Sequence, residues 1–275
     1  MKRTSLILIY STLIIAVLLV AFPLYMTLIV GFKTPLDNRH SLFAFPPSLY
    51  LGNFQTILNN PQYFKSLANT FYITIASIIG SVVLMPAASY ALARKMDISP
   101  IYRWLYFFIL IGIFIPFQVR MIPLIRLADT LNLTNINGII VLYIAGNAAE
   151  AIFLYVGYIR SIPSDLEDAA RIDGASTFVT YVRIILPLMK PMIATVIIKD
   201  TLLIWNDFVL VLPILNRSPD YWTLTMFQYN FRWRYSADPT IIMTSFIMSM
   251  LPVFIIYLFA QKHIIGGLVS GAIKE

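Results

Sequence analysis

Glu150, Lys199, Asp200 and Asp207 are the residues of this chain best placed to do chemistry, because each lies inside a long apolar run. An ionisable group within a membrane span is costly and is retained where it pairs, lines a watery path or binds an ion. Asp200 and Asp207 stand seven apart, which predicts a shared helix face with the carboxylates about 10 Å apart along the axis. Glu150, Trp205, Asn206 and Asp207 are therefore candidates for a hydrophilic translocation path. Two other readings fit the same residues. Lys199 can neutralise its acidic neighbours as a buried pair that holds helices or subunits together. Alternatively, the carboxylates can carry a coupling proton or sodium ion in an ion-coupled secondary carrier.

What the chain lacks bounds the remaining chemistry. It has no cysteine and only His40 and His263, so a disulfide framework is excluded and a histidine or zinc-type metal site is not expected. No G-x4-G-K-[ST] phosphate loop and no Rossmann-like glycine fingerprint occur, and no nucleophile, base and orienting group assemble with motif support. The chain is expected to be non-catalytic and free of cofactors, with its energy drawn from a partner or an ion gradient. Its formal charge of +7 comes from basic residues scattered at the ends of apolar runs, which suits lipid headgroups and not nucleic acid.

The elements that must position these residues follow from hydropathy. Of 275 residues, 59% are hydrophobic and 12% charged, about half the charge of a soluble domain. The expectation is an all-α polytopic membrane protein. Six runs reach the roughly 20 residues needed to cross a bilayer: 6–32, 67–93, 104–125, 138–158, 192–215 and 239–261. The first follows Met1, Lys2 and Arg3 but runs 27 residues with no small-x-small cleavage site after it, so it is expected to remain as an anchor. Pro116 and Pro123 are expected to kink the third, whose end also carries Arg120 and Arg126. Six spans place both termini on one side. That side holds eleven Lys and Arg against eight on the other, which makes it cytoplasmic by the positive-inside bias. The loop 159–191 then faces the cytoplasm, while 33–66 and 216–238 face outward.

The loop 159–191 carries the compact stretch SDLEDAARIDGAS, with four acids and one arginine between apolar runs. Ser164 and Glu167 have the spacing of a capping box, so a helix is expected to start there, with Asp165, Glu167 and Asp168 favoured in its first turn by the helix dipole. Gly174 is placed to end that helix in the left-handed conformation, and Ser176 to cap a second helix that Pro187 stops near Ile185. A helix, a glycine corner and a helix form a low-profile unit suited to another protein's groove. An amphipathic interfacial connector would show the same features.

Asp168-Ala169-Ala170, three residues, Gly174, nine residues, then Ile184-Ile185-Leu186-Pro187 resembles the EAA loop of membrane subunits in binding-protein-dependent ABC importers, with the pattern E-A-A-x3-G-x9-I-x-L-P. Every fixed position matches except Asp168, where the family carries Glu; Glu167 just before it can substitute. Trp205-Asn206-Asp207-Phe208, Leu251-Pro252, Gln261-Lys262, Gly266-Gly267-Leu268 and Gly271-Ala272-Ile273-Lys274 are similar to the carbohydrate-uptake branch and to its maltose-type shorter permease.

The resemblance implies a type I ABC importer permease fold in a bacterial inner membrane, as one half of a heterodimeric pore. It implies a second permease, two cytoplasmic ATPase subunits and an extracytoplasmic sugar-binding protein as partners. It assigns ATPase coupling to Glu167, Asp168, Ala169, Ala170, Asp173, Gly174, Ile184, Leu186 and Pro187. Read from the residues themselves, Asn206 and the carboxylates of the path would hydrogen-bond sugar hydroxyls while Trp205 or Tyr155 stacks on a ring; the resemblance to the maltose-type system implies that the sugar contacts belong chiefly to the other permease subunit. Trp222, Arg232, Trp233 and Arg234 of the aromatic outer loop would meet the binding protein. The implied division is 1–65 as first helix and outer loop, 66–265 as core permease and 266–275 as a tail near the ATPases.

Overall fold

The computed structural model describes residues 3–235 and 238–272, all of whose regular elements are helices. α1 (Arg3–Gly31), α2 (Pro35–His40), α3 (Gly52–Leu58), α4 (Pro61–Lys95), α5 (Pro100–Phe114), α6 (Phe117–Thr130), α7 (Ile136–Arg160) and α8 (Asp165–Ile172) come first. α9 (Thr177–Leu188), α10 (Lys190–Asn206), α11 (Val211–Leu215), α12 (Leu224–Arg234) and α13 (Pro239–Ala272) follow. Leu8–Gly31, Pro61–Lys95 and Ile136–Arg160 are each long and apolar enough to span a membrane. Two bent pairs, α5 with α6 and α9 with α10, bring the number to five, and Pro239–Ile255 is a shorter apolar helix.

Proline chemistry does more than kink the third apolar run. α5 stops at Phe114, Ile115 is extended (φ −87°, ψ 110°), and α6 leaves at 105°. Pro116 has no N–H for the helix ladder and pushes the residue before it out of the helical region, so the run breaks into two helices. Pro123 sits inside α6, which continues through it. The fifth run also divides. α10 ends at Asn206, Asp207 is extended (φ −69°, ψ 129°), and α11 resumes at Val211.

The chain forms two compact units, one of Met1–Ser66 with Leu224–Phe254 and one of Leu67–Thr223 with Ile255–Glu275. In the first, the outer loop is folded. Thr34 and Asp37 make a full capping box at the start of α2, a signal that Thr34-Pro35-Leu36-Asp37 carries in plain sight. Lys33 is buried and donates through Nζ to the carbonyls of Ser41 (2.8 Å) and Leu42 (3.0 Å), while Asn53 Nδ2 donates to Gly31 O and Lys33 O. Burial lowers the Lys33 pKa, and the Asp37 charge partly offsets this. Lys33→Ala is expected to cost about 1–3 kcal/mol locally by orphaning two carbonyls, and so to speed protease cleavage within 34–50 about tenfold. Time-resolved cleavage of detergent-solubilised protein checks it.

The second unit is built around a core of Met85, Tyr90, Leu92 and Ala93 from α4 with Met96 just after it, Ala151, Ile152, Tyr155, Val156 and Ile159 from α7 with Ile162 just after it, Ile185 from α9, Met189 at the bend, and Val196 from α10. α4 and α7 approach closely where Gly80 faces Ile144; a Cβ at Gly80 would collide with that side chain. This core carries the loop of interest on one end.

Candidate functional site

The charged loop folds as helix, corner, helix. α8 ends at the cap residue Asp173, Gly174 takes φ +80°, and Ser176 Oγ accepts from Val179 N to cap α9. Only glycine adopts that φ without strain, and among the described residues no atom beyond its two chain neighbours lies within 4 Å of where its Cβ would be, so the corner is open on its outer side. Ile172 and Phe178 flank it, 87% and 74% exposed, large apolar side chains left without cover.

Two local expectations fail here. Ser164 makes no side-chain cap bond, so the capping box does not form. Glu167 turns inward, only 3% exposed: Oε1 accepts from Arg94 Nε at 2.6 Å and Oε2 from Tyr90 OH at 2.7 Å. A charge-assisted bond to a guanidinium outcompetes a bond to a backbone amide. Pro187 also does not stop the second helix. α9 runs through Tyr181–Ile185 as a π segment in which Leu186 N donates to Tyr181 O, so the Pro187 ring meets no tight turn; the chain bends 70° only after Leu188.

The remaining loop residues separate by face. Asp168 is exposed and its side chain accepts from Arg171 on its own helix, at 3.1 Å. Ala169, Asp173 and Pro187 are exposed, Ile184 and Leu186 half-buried, and Ala170 buried. Tyr90 and Arg94 were not legible as partners of this loop, since Arg94 reads in sequence as one more basic residue at a span end.

The candidate path residues do not share one place. Asp207 lies beyond the end of α10, so Asp200 and Asp207 do not share a helix face: Asp207 Oδ1 accepts from Val209 N and Leu210 N, in competition with the helix, and Oδ2 accepts from Tyr143 OH at 2.9 Å. Asn206 and Asp207 do line one cavity of about 650 Å³, with Phe117, Arg120, Tyr143 and Asn147 on its other walls. Trp205 does not; it is buried edge-on against Phe71, centroids 4.8 Å apart. Glu150 pairs instead with Lys199 (2.8 Å), which also meets Asp200 at 3.1 Å. This ionic cluster joins α7 to α10, with Asp200 buried, Lys199 half-buried and Glu150 exposed. Tyr143→Phe is expected to cost about 1 kcal/mol, since Asp207 keeps its two amide donors, and to lower the detergent melting midpoint by a few degrees.

Trp222 is half-buried with its carbonyl accepting from Asn69 Nδ2 at 3.0 Å, and Arg232 and Arg234 are exposed on the last turn of α12. The Trp233 side chain and the terminal residues 273–275 lie outside the described residues. Gly266 to Ala272, read from sequence as the start of a separate tail, continue the backbone of α13.

Residues 88–268 match the profile of the family described as binding-protein-dependent transport system inner membrane component. The chain belongs to this family. It is a multi-pass permease of the ABC importer class, a transport component. It is 40% identical over 268 residues, 96% of each chain, to the multiple sugar-binding transport system permease protein MsmG of Streptococcus mutans serotype c. It is 31% identical to the melibiose/raffinose/stachyose import permease protein MelC of Bacillus subtilis, over 92% of this permease and 91% of that one. Its fold matches a chain in the crystal structure of a bacterial ABC transporter that imports the acidic polysaccharide alginate, with TM-score 0.80 and 23% identity, covering 95% of this permease and 98% of that chain. The type I importer fold expected from the EAA-like loop is therefore the fold the permease has.

Proposed function

We propose that this permease forms one half of a heterodimeric pore for a sugar or oligosaccharide, with a second permease beside it, two ATPases beneath it and an extracytoplasmic binding protein above it. The observation that carries the reading is the corner at Gly174, held at φ +80° between two short helices with exposed Ile172 and Phe178 beside it. Apolar side chains around a glycine corner outside the spans suit a protein groove, and the identity of 40% to a sugar-binding system's permease supports both the partner and the cargo. Both termini and the loop 159–191 face the cytoplasm in this reading, and ATPase contact falls to Asp168, Ala169, Asp173, Gly174 and their exposed neighbours.

The cavity beside Asn206 and Asp207 is this subunit's share of the sugar path. Its aliphatic walls and Phe117 offer apolar surface, while Arg120, Asn147 and Asn206 offer groups for hydroxyls. In this reading the binding-protein contact falls to the aromatic and arginine residues of the outer loop's sequence, Trp222, Arg232, Trp233 and Arg234. The test is uptake into proteoliposomes that hold both permeases and the ATPases, with sugar-loaded binding protein outside. ATP inside the vesicles is expected to be required. Uptake that follows an imposed ion gradient and ignores ATP would return the chain to the secondary-carrier class.

A further inference from the structure

Two residues one turn apart on α4 hold the charged loop at three points. Arg94 donates through Nε to Glu167 Oε1 (2.6 Å) and through a terminal nitrogen to the carbonyl of Ile162 (3.0 Å), where the loop begins. Tyr90 donates its hydroxyl to Glu167 Oε2 (2.7 Å), and its ring stacks on Tyr181 in the π segment of α9, centroids 5.3 Å apart and planes 28° apart. The three points lie before α8, on α8, and beyond the glycine corner on α9. Both carboxylate oxygens of Glu167 are occupied from inside the chain, and its side chain is 4% exposed. Asp168 next to it has a side chain 61% exposed and pairs with Arg171 of its own helix.

A buried, doubly bonded carboxylate cannot reach a partner without breaking two charge-assisted bonds. It can act as a rigid joint. The covalent link from α7 into α8 is the short stretch 161–164, in which Pro163 and Ser164 are exposed and make no side-chain bond in the structure. Force on the exposed face of the loop therefore has a second route into the membrane, through Glu167 and α4, beside the chain itself, where Ser161 Oγ donates to Tyr158 O and Ile162 is buried. α4 runs as one α-helix over 35 residues, about 50 Å, with Pro86 inside it one turn before Tyr90, so Tyr90 and Arg94 share its last, proline-free turns.

We propose that Glu167, Arg94 and Tyr90 form the joint that passes the motion of the ATPase-docked loop to α4, so that Glu167 is a positioning residue within the permease and Asp168 carries the outward-facing role. This rests on the ATPase-coupling reading above. An allosteric link needs an element whose two ends are tied firmly enough to share one displacement, and this clamp ties the second of them.

The test uses the complete importer in proteoliposomes with Glu167→Gln and, as the milder change, Tyr90→Phe, which keeps the ring stack and removes one bond. Two quantities are read: sugar taken up per ATP hydrolysed, and labelling of the ATPase by a photo-crosslinker on Ile172→Cys, a unique site because the chain has no cysteine. The expected result for Glu167→Gln is an about tenfold fall in uptake per ATP with Ile172 labelling retained, and a smaller fall in the same direction for Tyr90→Phe. Should Glu167→Gln fail to assemble, the Tyr90→Phe ratio decides. Loss of Ile172 labelling in either variant would make Glu167 a docking residue and overturn the joint; so would unchanged uptake per ATP. Failure of the unmodified importer to use ATP is a separate outcome that strikes the function reading instead.

Discussion

Replacing Gly174 by tryptophan is expected to cut sugar-stimulated ATP hydrolysis and uptake together by about tenfold or more, while the permease pair stays intact. Two costs combine. A residue with a Cβ at φ +80° carries about 1 kcal/mol or more of backbone strain, which the short corner can tolerate. The larger cost lies outside the chain. Beyond its two chain neighbours, no atom of the described residues comes within 4 Å of the new Cβ, so the indole projects into the space that the ATPase groove would occupy. Gly174→Ala separates the two costs, since it carries the strain without the bulk and is expected to keep most of the coupling. Size-exclusion chromatography of the permease pair, run beside the ATPase assay, shows whether assembly survives. Tryptophan at 174 with full coupling would mean that the corner faces no partner.

Arg94→Met is expected to destabilise the permease by about 3–5 kcal/mol, because it strands the Glu167 carboxylate in a site where its side chain is 4% exposed. Tyr90 would remain as its one hydrogen-bond donor of those in the structure. The double change Arg94→Met with Glu167→Leu is expected to recover much of this loss, since it removes both charges and fills the space with apolar atoms of similar volume. Thermal midpoints of the two single variants and the double variant in detergent give the coupling between the residues directly. A loss under about 1 kcal/mol for Arg94→Met would show that water reaches the pair and screens it.

Much of this permease is written locally. Apolar run lengths mark where helices cross or enter the bilayer, because a span needs only enough consecutive apolar residues, whatever lies beside it. The glycine corner is equally local: Gly174 after a helix and Ser176 before the next state the turn and the cap by themselves. The spacing of Asp168-Ala169-Ala170, Gly174 and Ile184 to Pro187 carried the family. Of the candidate path residues, Asn206 and Asp207 stand side by side in sequence and on one cavity wall, while Glu150 pairs with Lys199 and Trp205 packs on Phe71.

Tertiary structure decided the rest, for reasons of competition. Glu167 had a cap to make within its own helix and was taken by Arg94, 73 residues earlier, because a buried ion pair with two further hydrogen bonds outweighs one exposed amide. Lys199 had three acids within its reach in sequence terms and chose Glu150, 49 residues away, together with its neighbour Asp200. Pro116 and Pro187 obey the same local rule yet give opposite outcomes. The first ends a helix and turns the chain by 105°, and the second rides through on a π segment whose Tyr181 is fixed by the ring of Tyr90. Sequence sets which groups need a partner; only the packed chain, by bringing α4 against α8 and α7 against α10, says which partner each one gets.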